Sequence, residues 1–490
     1  MINFNNEYNR ISNNLQLYIK ENFRFFAFIY IIYLIGYASL LRADSFYIDD
    51  MRRVLDGVAG WENFSRFSSN FLSGIFNTSK VLTDLSPLSQ FISIGFLSLS
   101  SLILVISFND KLGYLPLLAS AFIGLSPYYL ENMSYKYDSI YMAIAVFSTI
   151  FPFIFTKRTR LFIITSILSL LLMYTTYQTA NSIFIIASLL HAGKLSIENN
   201  KLKPAIYFLI TSGSAFLLST LIYKFFILNE VSAYVSSEMY PINSLFSGVK
   251  NNLTIYFNDI KNNFRNTTLS YLVISVYVLY LLNIYVHTNK SIKKTAINFL
   301  VSVIALLLSY GLYLVLVKPL WAARAFTGIG VFIAIISILA IKYQSNFLRS
   351  LSFAIICSTA YSLIVISTTY GNALKAQDEF NDFRINLLLS DLNSNLNPNI
   401  KYNIYVENSR VNAPRIDKAT KAFPILNKLI TIRLQKDWSW TAIQIYKSKT
   451  KLNFVNKSCF NQTNKHLKNV DTIHHRFSIY DNNCVITAYK

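Results

Sequence analysis

Charge is what this chain has least of: only 14% of its 490 residues are Asp, Glu, Lys or Arg, while 53% are hydrophobic. An average soluble domain carries about 25% charged residues. With a mean hydropathy of +0.38, an ordinary soluble enzyme is excluded and a mainly α, polytopic membrane protein is expected. Acids are scarcer than bases, 24 against 45, which leaves a net charge of +21. In a soluble protein that excess would suggest nucleic acid. Here many of the cations fall in short connections between apolar runs, and no basic motif stands apart from them, so nucleic-acid binding is not expected. Such cations mark cytoplasmic loops and contacts with anionic membrane lipids.

Cysteine is nearly absent, with three in the whole chain. Cys357 lies inside an apolar run and reads as a small buried residue. Cys459 and Cys484 share the polar C-terminal region, where a disulfide between them is expected if that region meets an oxidising compartment. The five histidines show no zinc-ligand spacing with cysteine or acid. A phosphate-cradling glycine loop and a Ser-His-Asp order are also missing. The adjacent acids Asp49 and Asp50 offer oxygen ligands to a divalent cation, but adjacency alone is weak, and no metal or other cofactor is expected. Residues 1–22 are polar and the first apolar run is long enough to remain as a span, so it is expected to act as an uncleaved anchor.

Long apolar runs are plentiful. A spanning helix needs about 20 mainly apolar residues, which marks 23–42, 88–108, 112–130, 139–156, 205–228, 271–287, 296–317, 326–342 and 350–369. The stretch 161–193 is interrupted by YTTYQTAN at 174–181 and reads as two short helices meeting at a polar turn, with one long helix as the alternative. About eleven spans result, an odd number that puts the termini on opposite sides. With the N-terminus cytoplasmic, Lys111, Lys157, Arg158, Arg160, Lys194, Lys201, Lys203, Lys290, Lys293, Lys294, Lys342 and Arg349 all fall inside, as the positive-inside rule requires. The same threading puts the loops 43–87, 127–138 and 229–270, the turn at 318–325 and the tail on the outer side. Residues 1–370 then form the transmembrane domain and 371–490 a small soluble α+β domain, with strands expected at 402–406 and 441–446. The spacing of Phe380, Phe383 and Leu387 predicts a helix over 377–389 joining that domain to the last span.

The candidate chemistry lies in three outer segments. The first, FYIDDMRRVLDGVAGWENFSRF at 46–67, gathers Asp49, Asp50, Arg52, Arg53, Trp61 and Arg66 directly after the first span. A carboxylate can take a proton from an attacking hydroxyl and cations can hold a departing phosphate, while Tyr47 and Trp61 suit sugar faces. A solvated interfacial loop explains the same composition about as well. The second, SPYYLENMSYKYDS at 126–139, adds Glu131, Lys136 and Asp138 at the start of a span, where ionisable groups are functional candidates by default. The third, WAAR, brings Trp321 and Arg324 with Lys318 close by.

The stretches YIDDMRRVLDGVAGW with the later SRF, DLSPLSQF, LSPYYLENMSYKYDSIYMA and RAFTGIGV, in this order, resemble the Gtr-type O-antigen glucosyltransferases of bacterial serotype conversion, the glucosyl transferase GtrII family. The likeness covers about 25–370. It implies a GT-C type enzyme of the bacterial inner membrane that moves a hexose, typically glucose, from undecaprenyl phosphate to O-antigen or a related surface polysaccharide in the periplasm, with inversion by one in-line displacement. It further implies Asp49 or Asp50 as general base, Arg53, Arg66, Lys136 and Arg324 facing the lipid phosphate, and a separate flippase and donor synthase as partners. The tail matches no quotable pattern, which leaves the acceptor open. A flippase for a lipid-linked glycan is the competing expectation, but a transporter should carry ionisable groups mid-span and on both faces. Lys224 is the main cation within a span, near its outer end. A membrane anchor presenting the tail as a binding module would have no use for the acid-rich first loop.

Overall fold

The computed structural model describes residues 4–199, 201–229, 238–407, 411–431, 451–455, 457–461 and 463–489, with the backbone alone for 4–21. The strand expected at 441–446 lies outside the described residues. The chain is mainly helical. Its elements begin with α1 (Phe4–Ala43), α2 (Asp50–Asp56), α3 (Phe67–Phe76), α4 (Leu88–Asn109), α5 (Tyr114–Ser120), α6 (Phe122–Leu125), α7 (Pro127–Ser134), α8 (Ser139–Ile150) and α9 (Thr159–Thr176). They continue with α10 (Asn181–Glu198), α11 (Lys203–Ile222), α12 (Leu245–Phe264), α13 (Thr268–His287), α14 (Ile292–Leu307), α15 (Gly328–Lys342) and α16 (Arg349–Asn395).

Among the described residues, eight helical stretches are long and apolar enough to cross a membrane: Asn22–Ala43, Leu88–Asn109, Thr159–Thr176, Gln178–Glu198, Lys203–Ile227, Thr268–His287, Ile292–Val315 and Arg349–Asn395. Three shorter apolar helices, Tyr114–Leu125, Ser139–Phe155 and Gly328–Lys342, fall where the sequence predicts further spans. Against the expected eleven, eight helices among the described residues reach spanning length and three apolar ones fall short of it. The outward faces are apolar. Ile206, Ile210, Leu217 and Leu221 of α11 and Tyr271, Ile274, Val278 and Leu282 of α13 are exposed at helical spacing. Stripes this continuous are a liability in water and the ordinary face of a helix in lipid, so the chain is a multi-pass membrane protein. Inward faces use small residues: Ser93, Ser98, Ser100 and Ser101 of α4 are buried, letting backbones approach closely.

The interruption at 174–181 is two helices, α9 and α10, joined through a 3-10 turn at Gln178–Ala180. Its polar residues also hold a second break. After α14 the chain continues as 3-10 helix over Leu308–Val315, with Gly311 at φ 60° and ψ −141°. Irregular backbone at membrane depth survives only where its polar groups are bonded within the protein, and the Asn181 amide oxygen accepts from the Leu312 N–H at 2.8 Å. A Cβ on Gly311 would come within 2.1 Å of that oxygen. The close approach requires glycine.

The last span does not stop at the membrane. α16 runs unbroken for 47 residues across positions 370 and 371, and its buried face beyond them is Asn381, Arg384, Ile385, Leu388 and Leu392, with Phe383 exposed. The predicted helix is present with its inward face turned away from Phe383. Beyond it lie β1 (Tyr402–Glu407), α17 (Asp417–Ala422), α18 (Leu426–Leu429), β2 (Leu452–Val455), β3 (His466–Asp471), β4 (His475–Tyr480) and β5 (Cys484–Tyr489). The strands form one sheet in the order β2-β1-β5-β4-β3, with β1 parallel to both neighbours and the other pairs antiparallel. Ile385, Leu388 and Leu392 of α16 pack on Ile404, Val406, Phe454, Phe477 and Val485 of this sheet. At the same junction the Asp391 carboxylate lies 2.6 Å from His475 Nδ1 and accepts from the Thr472 hydroxyl at 2.6 Å.

Cys459 and Cys484 are joined by a disulfide with Cα atoms 5.7 Å apart, closing a loop across 25 residues. A loop of this size stabilises by about 3 kcal/mol on the chain-entropy estimate. Replacing both cysteines by serine is expected to lower the unfolding midpoint of the tail by several degrees, and limited proteolysis after 395 with and without reductant would detect it.

Candidate functional site

The first loop is built around a carboxylate that is not accessible. Asp50 is fully buried, and its side chain accepts from the backbone N–H groups of Tyr47 at 3.0 Å, Lys136 at 2.8 Å and Tyr137 at 3.3 Å. Burial pushes its pKa up to about 7, against the pull of the Lys136 N–H, the Arg53 charge and the N–H groups of Tyr47 and Tyr137. This clamp holds a strained backbone. Ile48 has φ 41°, a left-handed conformation that is an outlier for a β-branched side chain and that persists only where its surroundings over-determine it. The next residue is Asp49, which is exposed and whose carboxylate has no side-chain hydrogen bond or ion pair among the described residues. Two adjacent acids therefore differ in kind: one fixes the turn and the other is presented by it.

Arg53 and Trp61 close on the second segment. The Arg53 guanidinium forms a buried ion pair with Asp138 and lies 4.4 Å from the centroid of the Trp61 ring, and the Trp61 indole N–H donates to Asp138 at 2.5 Å. Lys136, also buried, pairs with Asp44 at 2.5 Å and Asp84 at 3.2 Å and sits over the Phe46 ring at 4.0 Å. Buried charges persist only when paired, and these pairs tie the loop 43–87 to the turn before α8.

The third segment meets the second through Glu131, whose carboxylate accepts from the Arg324 backbone N–H at 2.7 Å and forms an ion pair with the Arg324 side chain. Tyr135 is the junction. Its ring packs edge-on against Tyr47 at 4.9 Å, the Arg324 guanidinium lies 5.5 Å from its centroid, and the charges of Arg324, Glu131 and Asp49 all act on it. Arg66 approaches from another side, donating to Gln178 at 2.9 Å and stacking on Tyr177 at 4.7 Å. It has no carboxylate partner among the described residues. Arg66 and Arg324 both act on Tyr177 and Tyr313, so they flank one region. Trp321 stands apart from this cluster, half-buried in an aromatic stack with Tyr310 at 5.1 Å and, beyond it, Tyr256 at 4.9 Å.

The tail takes part as well. Ile425, Leu426, Leu429 and Ile430 belong to the same core as the spanning helices. The Leu429 carbonyl accepts from Tyr47 at 2.9 Å and Tyr370 at 3.4 Å. Lys428 reaches Asp259 of α12 at 2.8 Å and lies over the Phe326 ring at 4.4 Å. Met51, between the loop's acid and arginine pairs, is buried against Ile385, Leu388 and the sheet.

The structure thus brings Asp49, Asp50, Arg53, Trp61, Lys136, Asp138, Glu131, Tyr47, Arg66 and Arg324 together at one end of the helical bundle. Sequence reasoning had not singled out Asp44 and Asp84 as the partners of Lys136, Gln178 as the partner of Arg66, or Leu429 as the acceptor for Tyr47. The polar break YTTYQTAN was a usable signal for Gln178. Nothing local marks the others. Among the described residues no group of three or more His, Cys, Asp and Glu is placed to hold a metal ion. An open carboxylate at Asp49, linked through Tyr135 to Arg324, suits proton abstraction near an anionic leaving group.

Comparison with known proteins gives a family for the chain. The family model described as "Glucosyl transferase GtrII" matches residues 38–341, which contain all three segments. A protein of Salmonella phage P22, described as "Uncharacterized 55.3 kDa protein in gtrB 5'region", is 26% identical over 445 residues, covering 86% of this chain and 90% of the phage protein. No solved structure matches the chain.

Proposed function

The chain belongs to the glucosyl transferase GtrII family, and we propose from that membership and the site geometry that it transfers a hexose, glucose, from undecaprenyl phosphate to O-antigen or a related surface polysaccharide at the periplasmic face of the inner membrane. Family membership makes it a membrane glycosyltransferase. The donor lipid, the side of the membrane and the GT-C type, inverting course belong to the proposal. One observation carries it: an exposed Asp49 held on a strained turn by buried Asp50, with Tyr135 between it and the Arg324 loop.

In the proposed reaction the acceptor hydroxyl oxygen attacks the anomeric carbon as the bond from that carbon to the phosphate oxygen breaks. Asp49 takes the hydroxyl proton, and the polyprenyl phosphate departs with the bonding pair. A single displacement inverts the anomeric centre. Arg66, which has no carboxylate partner among the described residues, and Arg324, less deeply buried than Arg53 and Lys136 though paired with Glu131, are the cations assigned to the phosphate. Arg53 and Lys136, which the resemblance also points toward it, are engaged by Asp138 and by Asp44 and Asp84 and are assigned to shaping the loop. Trp61, Glu131 and Asp138 act from the same framework; Tyr47, buried with its hydroxyl on the Leu429 carbonyl, is assigned to holding Tyr135 rather than to a sugar face, and Trp321 to aromatic surface. The tail, through Met51 and Leu429, is assigned to acceptor choice. A separate flippase and donor synthase would deliver the lipid-linked hexose.

The test is transfer of radiolabelled glucose from synthetic undecaprenyl-phosphate glucose by the purified full-length protein in nanodiscs, with deletion-strain polysaccharide as acceptor. Absence of transfer with every hexose donor tried would defeat the reading. Within that assay Arg66→Gln is expected to lower kcat/KM about 100-fold, the loss of about 3 kcal/mol for a charged hydrogen bond to an anion. An unchanged kcat/KM would remove Arg66 from the phosphate site.

A further inference from the structure

Among the buried polar atoms that the pairings described above leave over, Tyr177 Oη and Tyr135 Oη lie nearest the arginines, and the Tyr135 ring is the one in contact with Arg324. The Tyr135 hydroxyl is sealed from solvent and has no hydrogen-bond partner among the described residues, whereas the large majority of buried polar side-chain atoms in folded proteins are bonded. The neighbouring Tyr47 hydroxyl shows the usual arrangement, donating to the Leu429 carbonyl. Tyr135 is not loosely held: its ring is fixed by the Tyr47 edge and by the Arg324 guanidinium. Burial holds its pKa well above the ordinary tyrosine value, so at physiological pH it is an O–H donor. It is a donor without an acceptor.

The surroundings say which acceptor would suit it. The charges of Arg324, Glu131 and Asp49 act on Tyr135, as does Tyr177, and Tyr177 in turn lies under Arg66. Tyr135 therefore lies in the field of Arg324 and the exposed carboxylate, with Arg66 one ring away across Tyr177, and an anion held by both arginines would bring oxygen lone pairs to its hydroxyl. Resting on the glycosyl-transfer reading, we propose that the Tyr135 hydroxyl is a direct ligand of the donor's phosphate, donating to a non-bridging oxygen alongside Arg66 and Arg324. The same bond persists on the departing phosphate as its charge grows.

Tyr135→Phe removes the hydroxyl and keeps the ring. With the full-length protein in nanodiscs, binding of undecaprenyl phosphate and of undecaprenol is measured side by side, together with the thermal midpoint of each variant. The wild type is expected to prefer the phosphate. Tyr135→Phe is expected to bind undecaprenyl phosphate about tenfold more weakly, the loss of one hydrogen bond to a charged group, with undecaprenol binding unchanged. Its midpoint should not fall, because the free protein loses no bond. If Tyr135→Phe binds undecaprenyl phosphate as tightly as a wild type that still discriminates, the Tyr135 assignment is overturned and the glycosyl-transfer reading stands. A wild type that binds both lipids equally overturns both. A midpoint several degrees lower would reveal a structural partner for the hydroxyl and also overturn the assignment.

Discussion

Asp49→Asn is expected to abolish measurable hexosyl transfer, lowering kcat by about 10³-fold, within the range that a positioned general base contributes, while leaving the thermal midpoint within a degree or two of wild type. The two halves of this outcome come from one observation. Asp49 is exposed and its carboxylate holds nothing together among the described residues, so replacing it by an isosteric amide removes no internal bond. Surface substitutions of that kind usually change stability by less than about 0.5 kcal/mol. What the amide cannot do is accept the acceptor's proton as the carbon–oxygen bond forms. Donor binding, set by the arginines, should be retained, so the loss is expected in kcat with the donor KM little changed. Transfer assays on the purified variant, with the midpoint from the same preparation, measure both. Full activity in Asp49→Asn would exclude it as the base.

The contrast between Asp49 and Asp50 also marks how far the sequence could be read. The pair DD after the first span was enough to single out the loop that carries the candidate site, because composition and the end of an apolar run are local signals. Choosing between them was not possible. Their difference arises from Ile48 adopting φ 41° and from N–H donors at Tyr47, Lys136 and Tyr137, two of which lie more than 80 positions away. The positions of the apolar runs were legible for a similar reason: about 20 apolar residues are a requirement of the bilayer itself. The break at Gly311 was hidden because the run through 296–317 stays apolar, and only Asn181 on another helix reveals the accommodation. The tail read as a separate soluble unit on composition. Within it Ala413, Ile416, Ile425, Leu426, Leu429 and Ile430 are buried in the core that the spanning helices share, through contacts too distant in sequence to leave a local pattern.

Asp50 should behave oppositely to its neighbour. Asp50→Ala removes the acceptor of three buried N–H groups, each costing about 1–3 kcal/mol when left unbonded, against a total stability of about 5–15 kcal/mol for a typical domain. This variant is expected to unfold or to express poorly, and Asp50→Asn, which keeps one oxygen, to be milder. The pH dependence separates a buried acid from a merely bonded one. In the unfolded chain the carboxyl titrates at 3.8 and in the fold at about 7, so the native state holds its proton more tightly. The associated stability is fully present below about pH 4, declines as pH rises from there, and is lost above about pH 7. A shift of this size corresponds to about 4 kcal/mol. Thermal midpoints of wild type and Asp50→Asn in nanodiscs, taken from pH 4 to 8, isolate the contribution, because every other titrating group is common to both. The wild type should lose stability relative to the variant across that window. Parallel curves would mean that the three N–H donors and Arg53 outweigh burial and keep Asp50 ionised throughout, which would leave its clamp on the Asp49 turn intact but make the turn insensitive to pH.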